Sequence, residues 1–139
     1  MTSPAYQQMI FVNFPVADLA ASKKFFTDLG YALNPQFSDD NAASVVISDT
    51  IVAMLLTKPF YATFTKKEIP DATKTSEVMI ALSAESRAAV DDLVDRALQL
   101  GATESRDPQD MGFMYGRAFD DLDGHTWELV WMDPSAIEG

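Results

Sequence analysis

The stretch IFVNFPVADLAASKKFFTDLG, residues 10–30, decides the fold, because an apolar run is followed by a polar break, an amphipathic segment and a glycine. The run Ile10–Val16 is typical of a strand, and apolar residues then recur at helical spacing up to Leu29. Asp18 is placed to cap the free amides of the helix, and Gly30 is placed to end it in a left-handed conformation. We therefore predict a strand followed by a helix over Asp18–Leu29.

The same order recurs in the second half of the chain, where Val78–Ser83 is apolar, Glu85–Leu100 is amphipathic and Gly101 follows. Three short segments of strand type come after each helix. They are Tyr31–Asn34, Ser44–Ile47 and Ile51–Thr57 in the first half, and Ala102–Glu104, Gly112–Phe119 and Thr126–Met132 in the second. Residues typical of turns separate them, at Ser38–Asn41, Ser48–Thr50, Asp107–Asp110 and Asp121–Gly124. Each half therefore predicts a βαβββ module.

A module of this size has one sheet face that it cannot bury alone, so we expect the two modules to enclose a cleft. The predicted fold class is α+β, with two βαβββ modules forming a curved mixed sheet around that cleft. The prediction is one domain over residues 1–139. It has a first module at 9–57, a connector at 58–75 and a second module at 76–133.

Composition excludes several classes of function. The 139 residues carry a net charge of −11, which disfavours nucleic acid as a partner. The absence of Cys excludes disulfides, thiolate catalysis and Cys-based metal sites, and the single His is His125. The sequence has neither a long apolar run nor the pattern of a signal peptide, so a cytoplasmic protein without membrane contact is expected.

The connector Lys58–Thr75 contains four of the ten basic residues and three aromatic ones. The basic residues are Lys58, Lys66, Lys67 and Lys74, and the aromatic ones are Phe60, Tyr61 and Phe64. One interpretation is a link whose aromatic side chains pack on the core. The other is a lid that offers cationic side chains to an anionic small molecule.

Two motifs resemble the vicinal oxygen chelate superfamily: Pro15-Val16-Ala17-Asp18-Leu19 and Asp121-Leu122-Asp123-Gly124-His125-Thr126-Trp127-Glu128. That superfamily contains glyoxalase I, extradiol dioxygenases, fosfomycin-resistance enzymes and bleomycin-resistance proteins. The resemblance extends from about Met9 to Met132 and is closest to bacterial proteins labelled as lactoylglutathione lyases. The family usually has proline where this chain has Leu122, which is expected to loosen the turn.

In enzymes of this superfamily, one metal ligand comes from each of four inward-facing strand positions. The resemblance places these positions on Phe11, Leu55, Met79 and Glu128, and only Glu128 can supply a hard donor. Asn13 lies on the same strand face as Phe11, and its amide is a poor replacement for imidazole. His125 is three residues from Glu128 and is interpreted as a turn residue. The sequence thus predicts no catalytic metal and no cofactor.

Strand alternation groups the residues expected to line the cleft. The predicted ligand-binding set is Phe11, Asn13, Leu55, Met79, Met114 and Glu128. A carboxylate among apolar side chains is costly to ionise unless paired, so Glu128 is the candidate catalytic base. Alternatively, Glu128 bonds a backbone amide or Arg117. Arg117 itself is expected on the helix side in an ion pair, or in the cleft as an anion clamp if the strand bulges at Gly116.

Two classes of function follow. The first is a homodimeric protein that binds a small molecule in the cleft without a metal, as bleomycin-resistance proteins do, with Trp131 and Phe64 as candidate dimer contacts. The second is a lyase or isomerase similar to glyoxalase I. In this second hypothesis, Glu128 of the present chain removes a proton next to a carbonyl of the substrate, and a cation stabilises the enolate that forms. The second class needs a cation that the sequence does not identify, so binding is favoured.

Overall fold

The computed structural model describes residues 5–136. The chain forms two compact units, Met1–Ile69 and Pro70–Gly139, and each contains one βαβββ module. The boundary between the units lies inside the predicted connector.

The first unit contains a four-stranded mixed sheet and a helix packed on it. Its strands are β1 (Ile10–Val16), β2 (Ala32–Leu33), β3 (Ala42–Val46) and β4 (Ile51–Thr57), and its helices are α1 (Leu19–Leu29) and the short α2 (Lys58–Tyr61). The strand order is β1-β4-β3-β2, with β1 parallel to β4 and the other pairs antiparallel. β1 and β4 have the bounds that the sequence predicts.

Both ends of α1 follow from the sequence. The Asp18 carboxylate accepts a hydrogen bond from the amide of Ala21 at 3.1 Å. Gly30 ends the helix at a φ of 119°, a left-handed conformation that glycine adopts without a Cβ clash. The residues that α1 buries are Leu19, Ser22, Phe25, Phe26 and Leu29, which is the predicted stripe.

The second unit repeats this arrangement. Its strands are β5 (Met79–Ser83), β6 (Thr103–Asp110), β7 (Met114–Asp120) and β8 (Thr126–Met132), and its helix is α3 (Arg87–Gln99). The order is β5-β8-β7-β6, with β5 parallel to β8. Ser86 caps α3 by accepting from the Ala89 amide at 3.0 Å, and Val90, Val94 and Ala97 are buried beneath it. The α+β class built from two βαβββ modules is confirmed.

Several predicted bounds differ from the structure by one or two residues, and two segments differ over at least half of their length. Asp107–Asp110 was expected to form a turn and instead completes β6, because an edge strand tolerates Pro108, which has no amide to donate. The segment Tyr31–Asn34 was expected to be a strand, of which only Ala32–Leu33 is paired. There the Asn34 side chain caps a short 3-10 turn that starts at Pro35, and this ends the strand early.

The connector begins with α2, which packs on β1 and β4, and continues into a 3-10 turn at Ala62–Phe64. Phe60 and Phe64 meet edge to face, with ring centroids 5.1 Å apart. Phe60 and Tyr61 are half-buried, as the packing interpretation expects, whereas Phe64 is 69% exposed. Within residues 5–136, no helix is long and apolar enough to cross a membrane.

Candidate functional site

The first sheet turns one face toward α1 and leaves the other, its open face, free of that helix. Phe14 and Val16 are buried on the α1 side, so alternation places Phe11 and Asn13 on the open face, where both are exposed. This confirms the predicted pairing of Phe11 with Asn13 on one strand face.

The predicted position on β4 is shifted by one residue. In the parallel pairing of β1 with β4, Phe14 lies beside Leu55 and Asn13 lies beside Met54. Leu55 is 1% exposed and belongs to the core under α1. A one-residue change of register moves a side chain to the other face, so Met54, not Leu55, shares the open face with Asn13.

The open face of the second sheet carries the remaining predicted residues. Tyr115, Arg117 and Phe119 point toward α3, so the alternate residues of β7 and their partners on β8 and β5 form the open face. It comprises Met79, Ala81 and Ser83 of β5, Met114, Gly116, Ala118 and Asp120 of β7, and Thr126, Glu128, Val130 and Met132 of β8. Glu128 lies between Ala81 and Ala118, its neighbours on the two adjoining strands.

Glu128 is held by a residue that sequence reasoning missed. Its Oε1 lies 2.6 Å from Nη1 of Arg106, and the two side chains are 17% and 32% exposed, respectively. Arg106 is opposite Ala118 on β6, between two register shifts that lie on either side of it. The signal that could have found it is Pro108, because a proline inside a strand marks an edge or a bulge.

Arg117, the alternative partner of Glu128, lies on the α3 side. It is 8% exposed, and its Nη1 donates to Asp91 at 3.0 Å and to Asp95 at 2.8 Å. Burial acts to lower the pKa of Arg117, but hydrogen bonds to Asp95, Asp91 and Glu104 outweigh it and hold that pKa above its ordinary value. The structural ion pair is confirmed, and the anion clamp is wrong because Gly116 keeps its register opposite Val130.

A second arginine, Arg87, lies on the α3 side of the same sheet. Arg87 donates to both carboxylate oxygens of Asp110, at 2.8 and 2.9 Å, and its guanidinium lies 5.1 Å from the ring centroids of Tyr115 and Trp131. The hydrogen bond from Arg87 lowers the pKa of Asp110 to about 2, and the Gly112 amide adds to this effect. Trp131 is therefore already engaged within its own chain.

The turn between β7 and β8 is organised by Asp121. Its Oδ1 accepts from the backbone amides of Asp123 and His125, each at 3.0 Å, and its Oδ2 accepts from the Trp127 indole at 3.0 Å. Burial raises the pKa of Asp121, although these hydrogen bonds oppose the shift. His125 thus lies in the turn with its backbone bonded, as predicted, and Leu122 is 41% exposed.

Metal-ligating side chains are scattered. Over residues 5–136, no three His, Cys, Asp or Glu side chains come close enough together to hold a metal ion.

Comparison with known proteins shows what the chain is similar to. A family model described as bleomycin resistance protein-like N-terminal matches residues 8–48. A hypothetical protein from S. aureus has a similar structure, with a TM-score of 0.76, 27% identity, and coverage of 91% of this chain and 95% of that one. A search among proteins of curated function found no significant match.

Two further solved structures carry functional names. A glyoxalase/bleomycin resistance protein/dioxygenase family enzyme from Burkholderia phytofirmans has a TM-score of 0.74 at 16% identity, over 91% of this chain and 99% of that one. A fosfomycin resistance protein from Mesorhizobium loti has a TM-score of 0.64 at 18% identity, over 97% and 98%. The chain therefore has the glyoxalase/bleomycin resistance/dioxygenase fold. The resemblance to the vicinal oxygen chelate superfamily is confirmed.

Proposed function

We propose that this protein binds a small molecule on the open faces of its sheets and does so without a divalent metal. The observation that carries the proposal is the contact between Arg106 and Glu128 at 2.6 Å. Glu128 is the one hard donor among the positions that the superfamily uses for metal ligands, and a guanidinium already neutralises its charge.

The other positions supply no replacement ligand. Phe11 and Met79 lack hard donors, and neither Leu55 nor Met54 on β4 offers one. Zinc and similar ions need three or four nitrogen, oxygen or sulfur ligands at about 2 Å. Asn13 adds one neutral amide beside Met54. These residues do not fit a divalent ion, and no step of the proposed function depends on one.

The open faces suit a ligand with an apolar part. Phe11 is 56% exposed on the first sheet, and Met79 and Met132 are 57% and 40% exposed on the second. Met114 lies opposite Met132 on the same face. Methionine side chains adapt to irregular apolar shapes, which favours a permissive binding surface. We propose Phe11, Asn13 and Met54 as ligand contacts on the first sheet, and Met79, Met114 and Glu128 as ligand contacts on the second.

Metal analysis tests the first half of the proposal. The protein is dialysed separately against zinc, nickel, cobalt and manganese, and bound metal per chain is measured. We expect far less than one ion per chain in each case. Near-stoichiometric metal that disappears in a Glu128→Gln variant would overturn the proposal.

Calorimetric titration tests the second half. Because the matched family model is named for bleomycin resistance, metal-free bleomycin is the first probe. We expect saturable binding that weakens in Met79→Ser and stays unchanged in Met111→Ser, a control at an exposed methionine outside the strands. Equal affinity in both variants would contradict the proposed surface.

A second candidate is a lyase similar to glyoxalase I, with Glu128 as base. One observation favours it: Arg106 is a cation beside that carboxylate and could stabilise an enolate. The test is isomerisation of the glutathione hemithioacetal of methylglyoxal in metal-free buffer. Turnover that is lost in both Glu128→Gln and Arg106→Gln would replace the binding proposal with this one.

We also propose that the protein forms a homodimer. β1 and β5 each lie at one end of their sheet, and exposed apolar side chains occur on or next to them, with Ile10 55% and Val78 62% exposed. Phe64 remains a candidate contact, whereas Trp131 packs on Arg87 of its own chain. Sedimentation at micromolar concentration should give twice 15.3 kDa. A monomer across that range would exclude the dimer.

A further inference from the structure

We infer that Arg106 and Glu128 together recognise an uncharged head group that both accepts and donates hydrogen bonds, such as a carboxamide. The inference rests on the proposed binding function and specifies the chemical class of its ligand. All the residues involved lie on the second sheet.

The pair lies in a row of small residues. Reading across the sheet, Ala81, Glu128, Ala118 and Arg106 are successive cross-strand neighbours. Arg106 therefore reaches across Ala118 to meet Glu128. Because both flanking residues are alanines, nothing on β5 or β7 at this level is tall enough to cover the two charged groups. Both side chains are half-buried, with Arg106 32% and Glu128 17% exposed, so part of each reaches the open face.

The backbone of β6 aims Arg106 at this face. Register shifts occur between Glu104 and Arg106 and again between Arg106 and Gln109. Such irregularities interrupt ladder pairing and redirect a side chain, and they are common next to binding sites.

The pair also keeps unused hydrogen-bonding capacity. A guanidinium has five N–H donors and a carboxylate has two acceptor oxygens, and the contact joins Nη1 to Oε1. Within residues 5–136, the buried Nε of Arg106 has no hydrogen-bond partner. Because this Nε is buried, a ligand would bond the guanidinium through its Nη groups and the carboxylate through its second oxygen.

Charge decides which head group fits. An anion attracted to Arg106 would meet Glu128, and residues 70–139 carry 15 of the 21 acidic and 5 of the 10 basic side chains. A cation attracted to Glu128 would meet Arg106 at close range. A neutral amide accepts from the guanidinium and donates to the carboxylate, so it avoids both repulsions.

Three probes with the same apolar tail separate these cases: hexanamide, hexanoate and hexylammonium. Binding to the wild-type chain is followed by NMR, using the Arg106 Nε–Hε signal and the methyl signal of Met79. We expect hexanamide to bind about tenfold more tightly than either charged probe. That factor corresponds to the free energy of a hydrogen bond to a charged group.

Matched variants test the two partners. Arg106→Gln and Glu128→Gln should each remove the preference for hexanamide, whereas Arg96→Gln, which removes an equal charge from an exposed position on α3, should keep it. Amide-signal dispersion shows whether each variant is folded. For a variant that does not fold, the ranking of the three probes on the wild-type chain and the shift of its Arg106 Nε–Hε signal remain the test.

The outcomes separate the proposed binding function from the proposed recognition of an uncharged head group. Hexanoate binding most tightly, or a hexanamide preference that survives in both variants, would overturn this inference. If bleomycin binds and loses affinity in Met79→Ser while no probe shifts the Arg106 signal, the proposed function stands and this inference fails. If neither bleomycin nor any probe binds, both fail.

Discussion

The indole nitrogen of Trp127 donates a hydrogen bond to Oδ2 of Asp121 at 3.0 Å, and both residues are buried. The other oxygen of Asp121 holds the backbone amides of Asp123 and His125. One carboxylate therefore fixes both the β7–β8 turn and the first buried residue of β8. Since Glu128 follows Trp127 directly, this bond also sets the strand face on which Glu128 lies.

We expect Asp121→Ala to destabilise the fold by about 3 kcal/mol, because three donors lose their side-chain acceptor at a buried position. Urea denaturation followed by circular dichroism measures the loss. Asp120→Ala is the neighbouring control: Asp120 is half-buried and accepts one hydroxyl bond, from Thr126, so its effect should be smaller. Equal losses in the two variants would contradict the role assigned to Asp121.

Asp121 should also make the stability of the fold depend on pH. Burial raises the pKa of Asp121 above 3.8, so the folded state resists ionisation of this group. Its contribution is fully present below the unfolded-state pKa and is lost as pH rises through the folded-state pKa. The free energy of unfolding of the wild type, relative to that of Asp121→Asn, should therefore fall as the pH rises above the ordinary carboxyl pKa. Urea denaturation of both proteins at several pH values measures this difference. If the relative stability rises with pH instead, the folded state does not raise the pKa of Asp121 and the prediction is wrong.

Much of the fold could be predicted from the sequence because local signals agree with the final packing. Asp18 and Gly30 fix the two ends of α1, and the apolar residues between them are those that it buries. The start of β6 was predicted, but its second half was not, since Pro108 and the polar residues around it are typical of a turn. That half pairs with β7 across a short hairpin, and this pairing overrides the turn-like local sequence.

The candidate site was less predictable, because it depends on register. Phe11, Met79 and Glu128 follow from simple alternation and lie on open faces. Leu55 lies on the wrong face because a shift of one residue along β4 exchanges the two sides. Arg106 was missed, since its reach across Ala118 depends on register shifts in an edge strand, for which Pro108 was a sequence signal.

Arg117 should contribute to stability through both charge and packing. Arg117→Ala removes a buried guanidinium that bonds Asp91, Asp95 and Glu104, and we expect a loss of about 3 kcal/mol in urea denaturation. Arg117→Met keeps much of the packing and should lose about 1 kcal/mol. In both variants the pKa of Asp91 should rise, which carboxyl NMR titration measures. An unchanged Asp91 pKa would contradict the pairing.

Asp110 should remain ionised at unusually low pH. The hydrogen bond from Arg87 and that from the Gly112 amide lower its pKa to about 2. Its contribution to stability is therefore present above the ordinary value of 3.8 and is lost as pH falls through about 2. Carboxyl NMR titration should show this value in the wild type and a higher one in Arg87→Gln. An equal Asp110 pKa in the wild type and in Arg87→Gln would show that Arg87 does not cause the low value.

Gly124 holds the β7–β8 turn against another segment of the second unit. Its φ is +88°, and a Cβ there would lie 2.7 Å from the Thr73 nitrogen and 2.8 Å from the carbonyl of Ala72. Gly124→Ala therefore combines backbone strain with a clash against main chain, and we expect it to cost about 3 kcal/mol. Gly112 is the matched control, because its φ is +82° and a Cβ there meets no atom within 4 Å. Gly112→Ala should cost about 1 kcal/mol, the strain alone. Urea denaturation of both variants measures the difference, and equal losses would show that the close approach to residues 72–73 contributes nothing.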